Sequence, residues 1–261
     1  MEAATSEVLQ VERETNVATL TLNRPAQRNA LSMELMGRVI DALAAVREDS
    51  EVRAVILAGA GPAFCAGHDL GEMLGLELDG YREVFATCTR MMNAVHELPQ
   101  PVIARVHGMA TAAGCQLVAA CDLAVASRAA KFATPGVNIG LFCSTPMVEV
   151  SRAVGRKRAL ELLLTGTAID ASTAADWGLV NRVVEPDELE SATSELARRI
   201  AAASPLTVGI GKRAYYEQID RDLAGAYEYC QDVMSGNATA LDAQEGMCAF
   251  LEKREAHWSG R

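Results

Sequence analysis

Short apolar runs alternate with stretches of helical periodicity as far as residue 184 and then give way to helix alone, and this change of pattern most limits how the 261-residue chain can fold. Strand-like runs occupy residues 7–13, 17–22, 52–58, 101–106, 122–126 and 179–184, and the first two alternate like a hairpin across Glu14-Thr-Asn16. Between the strands, Ser32 can cap a helix on which Leu35, Met36, Val39, Ile40, Leu43 and Val46 recur at helical spacing. Further helices are predicted over 81–97, 145–154 and 156–165, with a short one opened by Asp170 and closed by Gly178. From Pro186 onward the pattern predicts only helix, with breaks around Ser204-Pro205 and Ser235-Gly-Asn237. The fold class is therefore α/β, with an all-helical appendage.

Residues 105–122 carry the strongest local signal. A buried strand ends there, Gly108 turns the chain, and a helix opens among the small residues 110–114 and runs to about Ala120. The first amides of a helix lack intrahelical partners and sit at the positive end of its dipole, so this junction can hold a developing negative charge. Tight packing of helix on sheet also selects small residues, and the stretch alone leaves both readings open.

Composition narrows the function. Acidic residues outnumber basic ones 34 to 24, and no dense run of Lys and Arg is present, so nucleic acid is not an expected partner. No apolar run has the length of a membrane span, residues 1–7 lack the features of an export signal, and a cytoplasmic location is expected. The seven cysteines contain no CxxC pair, which argues against a disulfide framework or a zinc site; no metal is expected.

Few catalytic motifs are on offer. Gly59-Ala-Gly-Pro-Ala-Phe64 begins like a dinucleotide fingerprint, but Phe64 replaces its third glycine and Pro62 delays any helix. There is no GxSxG elbow, HExxH pair or Walker loop. Of four histidines, His68 lies in a glycine loop, His107 at a strand end, and His96 and His257 in predicted helices. Only His68 has the setting of a site, against the bland alternative of a solvent-exposed loop histidine. Asp69 reads as a cap or loop anchor and Asp122 as structural.

Taken in order, Leu22-Asn-Arg-Pro25, Asn29-Ala-Leu31, Phe64-Cys-Ala-Gly-His-Asp-Leu70, Pro101-Val-Ile-Ala104, Gly114-Cys115, Cys121-Asp122-Leu123, Leu164-Thr-Gly166 and Ala174-Ala-Asp-Trp-Gly-Leu-Val180 span nearly the whole chain. This ordered set resembles the enoyl-CoA hydratase/isomerase, or crotonase, superfamily. Ala66-Gly-His-Asp-Leu70, Ala110-Thr-Ala-Ala-Gly-Cys-Gln-Leu117 and Phe132-Ala-Thr-Pro-Gly-Val-Asn138 look like its enoyl-CoA hydratase domain-containing subgroup.

The resemblance implies a core spiral of ββα turns over residues 1–188, which binds acyl-CoA, and a helical region over 189–261 that packs at a homotrimer interface, with trimers able to pair. Coenzyme A is implied as part of the substrate, with no permanently bound cofactor. Backbone N–H groups of His68 and Ala113 are implied as an oxyanion hole for the thioester carbonyl. Two glutamates that hydratases use for acid–base work fall at Gln116 and Gly136; glutamine accepts no proton at neutral pH, and glycine leaves the second position vacant. Substrate contacts are implied at Arg28, Ala30, Ala66, Gly67, Asp69, Leu70 and Gly114, with Arg28, Lys212 or Lys253 as candidate phosphate partners. His68, Cys115, Cys143, Ser144, Thr145 and Glu149 are candidates to replace the missing carboxylates, and the space freed at Gly136 is expected to take substrate or water. Hydratase, hydrolase, decarboxylase and isomerase activities, or silent acyl-CoA binding, remain as the functional expectations.

Overall fold

A computed structural model describes residues 8–261, so the start of the first expected strand and the segment read for an export signal lie outside the described residues. The chain begins with a hairpin of β1 (Leu9–Glu14) and β2 (Val17–Leu22), followed by α1 (Met33–Glu48), β3 (Ala54–Gly59), β4 (Ala63–Cys65), α2 (Leu70–Met73) and α3 (Leu78–Glu97). Next come β5 (Val102–Val106), β6 (Met109–Thr111), α4 (Ala113–Ala120), β7 (Leu123–Ser127) and β8 (Lys131–Ala133). The elements α5 (Pro146–Val154), α6 (Arg156–Thr165), β9 (Ile169–Asp170), α7 (Ala171–Trp177) and β10 (Arg182–Val184) precede the helices α8 (Leu189–Ala201), α9 (Pro205–Gln218), α10 (Leu223–Ala238) and α11 (Leu241–Glu252).

From β3 to β8, successive strands are dealt alternately to two sheets. One has the order β1-β2-β3-β5-β7-β10 and the other β4-β6-β8-β9, so β3 with β4, β5 with β6 and β7 with β8 each make one turn of a spiral. Parallel pairing sets Ile56 beside Ile103 and Ala104 beside Ala124. Both faces of these strands are covered, which explains why they read as continuous apolar runs rather than alternating ones. Leu57, Val102, Ala104 and Ala126 face the main core with α1 and α3, while Ile56, Ile103 and Val125 on the opposite face pack with Leu189, Ala197 and Ala201 of α8. Helix α8 thus shares a core with the strands.

Local chemistry accounts for the ends of several elements. Ser32 Oγ accepts from the Leu35 N–H at 3.1 Å at the start of α1, and Asp170 accepts from Thr173 at 2.8 Å at the start of α7. Two expectations fail. Residues 235–237 do not break a helix, since α10 runs through them; the interruptions fall at 219–222, where Asp222 caps α10, and at Thr239-Ala240. His257 lies beyond α11 in irregular chain rather than in a helix. No helix among the described residues is long and apolar enough to cross a membrane, and all seven cysteines are free, five of them buried.

Candidate active site

The segment 24–31 and the loop 66–69 form the first wall of the site. Asn29, buried at a φ of 56°, donates through Nδ2 to the carbonyls of Ala60 and Ala63, both at 2.8 Å, and its Oδ1 accepts from Arg24 N–H at 2.9 Å. Ala66 N–H donates to Arg28 O at 3.0 Å, Leu31 N–H to Gly67 O at 2.7 Å, and Asp69 N–H to Leu31 O at 3.1 Å. In such a ladder successive N–H groups face opposite sides, which leaves the His68 N–H on the edge away from Leu31. Asp69 anchors the loop: it pairs with Arg24 at 2.9 Å and caps α2 through Gly71 N–H at 3.0 Å. Although burial pushes its carboxyl up, the Arg24 guanidinium and the Gly71 and Glu72 amides hold it below the usual range.

The second wall is the start of α4. Gly67 has a φ of 90°, and a Cβ there would lie 2.9 Å from the Ala112 Cβ and 3.3 Å from the Ala113 nitrogen, so glycine lets the two walls meet. Thr111 Oγ1 ties them with a bond to Ala66 O at 3.0 Å. Ala112 itself sits at φ 50°, ψ −118°. Its N–H donates to Ala133 O at 2.9 Å, while Ala113, first in the helix, has no acceptor available within α4. Main-chain N–H groups of His68 and Ala113 are thus brought to neighbouring positions, and neither bonds to another group among the described residues.

Both residues border a cavity of about 510 Å³, whose lining also includes Ala66, Leu70, Ala112 and Gly136. Phe85, Ile139, Leu141, Phe142 and Pro146, which the sequence did not single out, make the wall largely apolar, and Asn138 adds a neutral polar side chain to it. Phe85 stood only as one position of a predicted helix, and Ile139, Leu141 and Phe142 lay in a stretch without helix or strand periodicity. Among the described residues, no Asp or Glu belongs to the lining. Ala30, Gly67, Asp69 and Gly114, expected as substrate contacts, are not in this lining; Gly114 packs so closely on Cys65 that a Cβ would overlap its carbonyl. Arg28 is exposed and outside the lining, as is Lys253.

His68 departs from the exposed loop histidine of the bland reading. Both ring nitrogens are buried without a partner, the ring meets Phe85 edge-on at 5.4 Å, and burial pushes its pKa down to about 4, which leaves it neutral at pH 7. Gln116, 4% exposed, stands one turn along α4 from Ala112 and leaves its Oε1 unpartnered. Gly136 does not offer the expected room: a Cβ would overlap the Leu141 carbonyl and lie 2.8 Å from Cys143 Sγ, because the 3-10 turn at Pro135–Ile139 brings the chain back on itself.

The other candidates separate. Burial pushes the Cys115 thiol up to about 12 and raises Cys143, so neither is set up as a thiolate. Ser144 and Thr145 line the cavity. Glu149 does not; it lies 3.5 Å from His96 in a second cavity, of about 560 Å³, at the other end of α4. Lys212 is withdrawn from any phosphate, with its side chain 5% exposed and its Nζ 2.7 Å from Asp122 Oδ2. The same ammonium donates to Val95 O at 2.8 Å and Gln100 O at 3.2 Å. Among the described residues no cluster of His, Cys, Asp or Glu could hold a metal ion.

Known proteins share this fold. The enoyl-CoA hydratase/isomerase family model matches residues 12–261. Enoyl-CoA hydratase domain-containing protein 3, mitochondrial, of Rattus norvegicus is 44% identical over 244 residues, covering 93% of this chain and 81% of that protein. The structure of an enoyl-CoA hydratase from Mycobacterium smegmatis superposes with a TM-score of 0.94 at 50% identity, covering 96% of this chain and 98% of that one. That of human enoyl coenzyme A hydratase domain-containing protein 3 has a TM-score of 0.94 at 42% identity, covering 96% and 100%. The likeness overturns the cytoplasmic expectation, since the Rattus norvegicus protein is named as mitochondrial; absence of a recognisable export signal and free cysteines do not separate these compartments. With a match over nearly its whole length and the spiral fold to go with it, this chain belongs to the enoyl-CoA hydratase/isomerase family.

Proposed function

We propose that this protein binds an acyl thioester of coenzyme A and stabilises negative charge on the thioester oxygen with the main-chain amides of His68 and Ala113, without a carboxylate pair for acid–base work. The observation that carries the reading is a pair of amides without a partner among the described residues, on two residues that line a largely apolar cavity to which no described Asp or Glu contributes. Two fixed N–H donors favour an enolate oxygen over the ground-state carbonyl, and one such donor is worth roughly 3 to 4 kcal/mol of the barrier. Coenzyme A enters as part of the substrate, and no resident cofactor is invoked.

Hydration by the usual two carboxylates is not supported. Gln116 cannot take up a proton, and the chain crowds Gly136. Those two positions favour the second reading, a silent acyl-CoA-binding protein, over a hydratase; hydrolysis, decarboxylation and isomerisation are the remaining catalytic readings. Exposed Leu223, Tyr227, Met234, Leu241, Phe250 and Leu251 on α10 and α11 support a homotrimer, or a dimer of trimers, built through these helices.

A panel of acyl-CoA thioesters followed by mass spectrometry tests the reading. Binding without turnover selects the silent protein. Hydration of crotonyl-CoA at rates ordinary for hydratases would show that the missing carboxylates do not matter, and failure to bind any thioester would remove the reading altogether.

A further inference from the structure

At the end of β2 and β3 far from the candidate active site, where both strands begin, α8 packs across the sheet and leaves a cavity of about 310 Å³. Arg53 and Arg198 line it, and neither forms an ion pair among the described residues. A partly buried guanidinium without a counter-charge is unusual, because burying an unpaired charge is costly. Arg53 donates through Nη1 to the Ala201 carbonyl at the end of α8, at a long 3.4 Å, and Arg198 Nε donates to Ser194 O at 3.2 Å. Capping the helix thus occupies one N–H of the Arg53 fork and leaves the rest. Its Nε is buried without a partner; its Nη2 has none either, and is not closed off from solvent. The hydroxyls of Thr19 and Ser194, in the same lining, are likewise unbonded and open. Glu14, exposed at the β1–β2 turn, is the one carboxylate among the described lining residues.

We propose that this cavity is a second ligand site, which takes a phosphate group, free or carried on a small monoester. Guanidinium groups bind phosphate through charge-assisted, fork-shaped hydrogen bonds. Here the donors come from two sides: Thr19 and Arg53 from the strands, Ser194 and Arg198 from α8. A phosphate has more accepting oxygens than a carboxylate, so it can answer donors from both sides at once. A neutral ligand would leave both cations uncompensated. In a chain of net charge −10, two arginines without an acid partner make a local positive field that draws in a small anion. The inference does not rest on the thioester reading: segment 24–31, a wall of that site, follows the end of β2, whereas this cavity lies at its start.

Inorganic phosphate and glycerol 3-phosphate, titrated into the whole chain at fixed ionic strength and followed by phosphorus NMR line broadening, test the proposal. At least one is expected to bind with a Kd of about 1 mM or below, and the tighter of the two tells free phosphate from a monoester. Arg53→Gln, which keeps a donor for the Ala201 carbonyl, and Arg198→Gln should each weaken that binding at least about tenfold and leave crotonyl-CoA binding unchanged. Arg198 is exposed on α8, so its variant serves alone if Arg53→Gln does not fold. Absence of saturable binding, an affinity unchanged in Arg198→Gln, or tighter binding of succinate than of either phosphate would each overturn the proposal. Parallel loss of phosphate and crotonyl-CoA binding in Arg198→Gln would merge the cavity with the thioester site and overturn its independence. A wild-type protein that binds phosphate here but no thioester would remove the reading of the active site and leave this one standing.

Discussion

Helix α4 has a polar neighbourhood at each end, and the two are built on opposite terms. At its C-terminal end, Asp122 accepts from Lys212 Nζ at 2.7 Å, from Tyr216 Oη at 3.0 Å and from Val102 N–H at 2.7 Å, while His96 stacks on Tyr216 at 4.5 Å. Charge is buried there, and each charged group is met by others. At the N-terminal end the polar groups are neutral, the His68 ring nitrogens, the Gln116 Oε1 and two main-chain amides, and none of them has a partner among the described residues. Satisfied buried charge fastens α9 to the strands; unsatisfied neutral dipoles are what a ligand site needs.

The sharpest way to break this contrast is to remove one partner at the charged end. Lys212→Ala should cost about 3–5 kcal/mol of stability, read from urea unfolding, because Asp122 is left as an unpaired charge in a protein interior. A loss below about 1 kcal/mol, the range of exposed pairs, would erase the distinction. At the other end, replacing Ala113 by its α-hydroxy counterpart, lactic acid, exchanges one amide N–H for an ester oxygen and avoids the ring that a proline would drive against the Ala112 Cβ. Any thioester turnover should fall by the equivalent of roughly 3 to 4 kcal/mol, with a much smaller change in unfolding free energy.

A third test uses pH. The folded pKa of His68, about 4, lies below the unfolded value near 6.5, so the unfolded chain takes up this proton first. The folded state is unpenalised by this residue above pH 6.5 and loses stability as pH falls from there toward 4, by at most about 3 kcal/mol. His68→Phe should flatten that part of the urea-midpoint profile; identical profiles for the two proteins would show that the ring is not buried as described. The smallest effect is expected at the turn beside the cavity. Gly136→Ala should cost about 1–3 kcal/mol, since its Cβ meets the Leu141 carbonyl and Cys143 Sγ. By the same geometry, Gly136→Glu should not supply a hydratase carboxylate unless residues 136–143 move, and a large gain of crotonyl-CoA hydration in Gln116→Glu, Gly136→Glu would refute this account of the turn.

Legibility in the sequence followed element length and contact range. The strands of the six-stranded sheet were readable because most are apolar runs of five or six residues. The second sheet was not, because β4, β6 and β8 have three residues each and β9 two, too few for a period to show. Ser235-Gly-Asn237 looked like a stop, yet one glycine inside a 16-residue helix costs only about 1 kcal/mol and is carried by its neighbours. Around the cavity, the glycine that admits the two walls was visible at Gly67, and the family resemblance supplied the amides. The crowding at Gly136 depends on a carbonyl five residues away, and the Lys212–Asp122 pair joins positions 90 apart; neither leaves a mark on local pattern.

The backbone of Ala112 has a consequence for timing. Its positive φ stores roughly 1–3 kcal/mol of strain and sends two successive amides to different tasks, one bonded to Ala133 and the next left free at the cavity. That arrangement is completed when the chain folds, so an arriving ligand has no peptide to turn over before it can bind. Association at this site should then show a single concentration-dependent step, set by encounter, with no slower first-order phase after it.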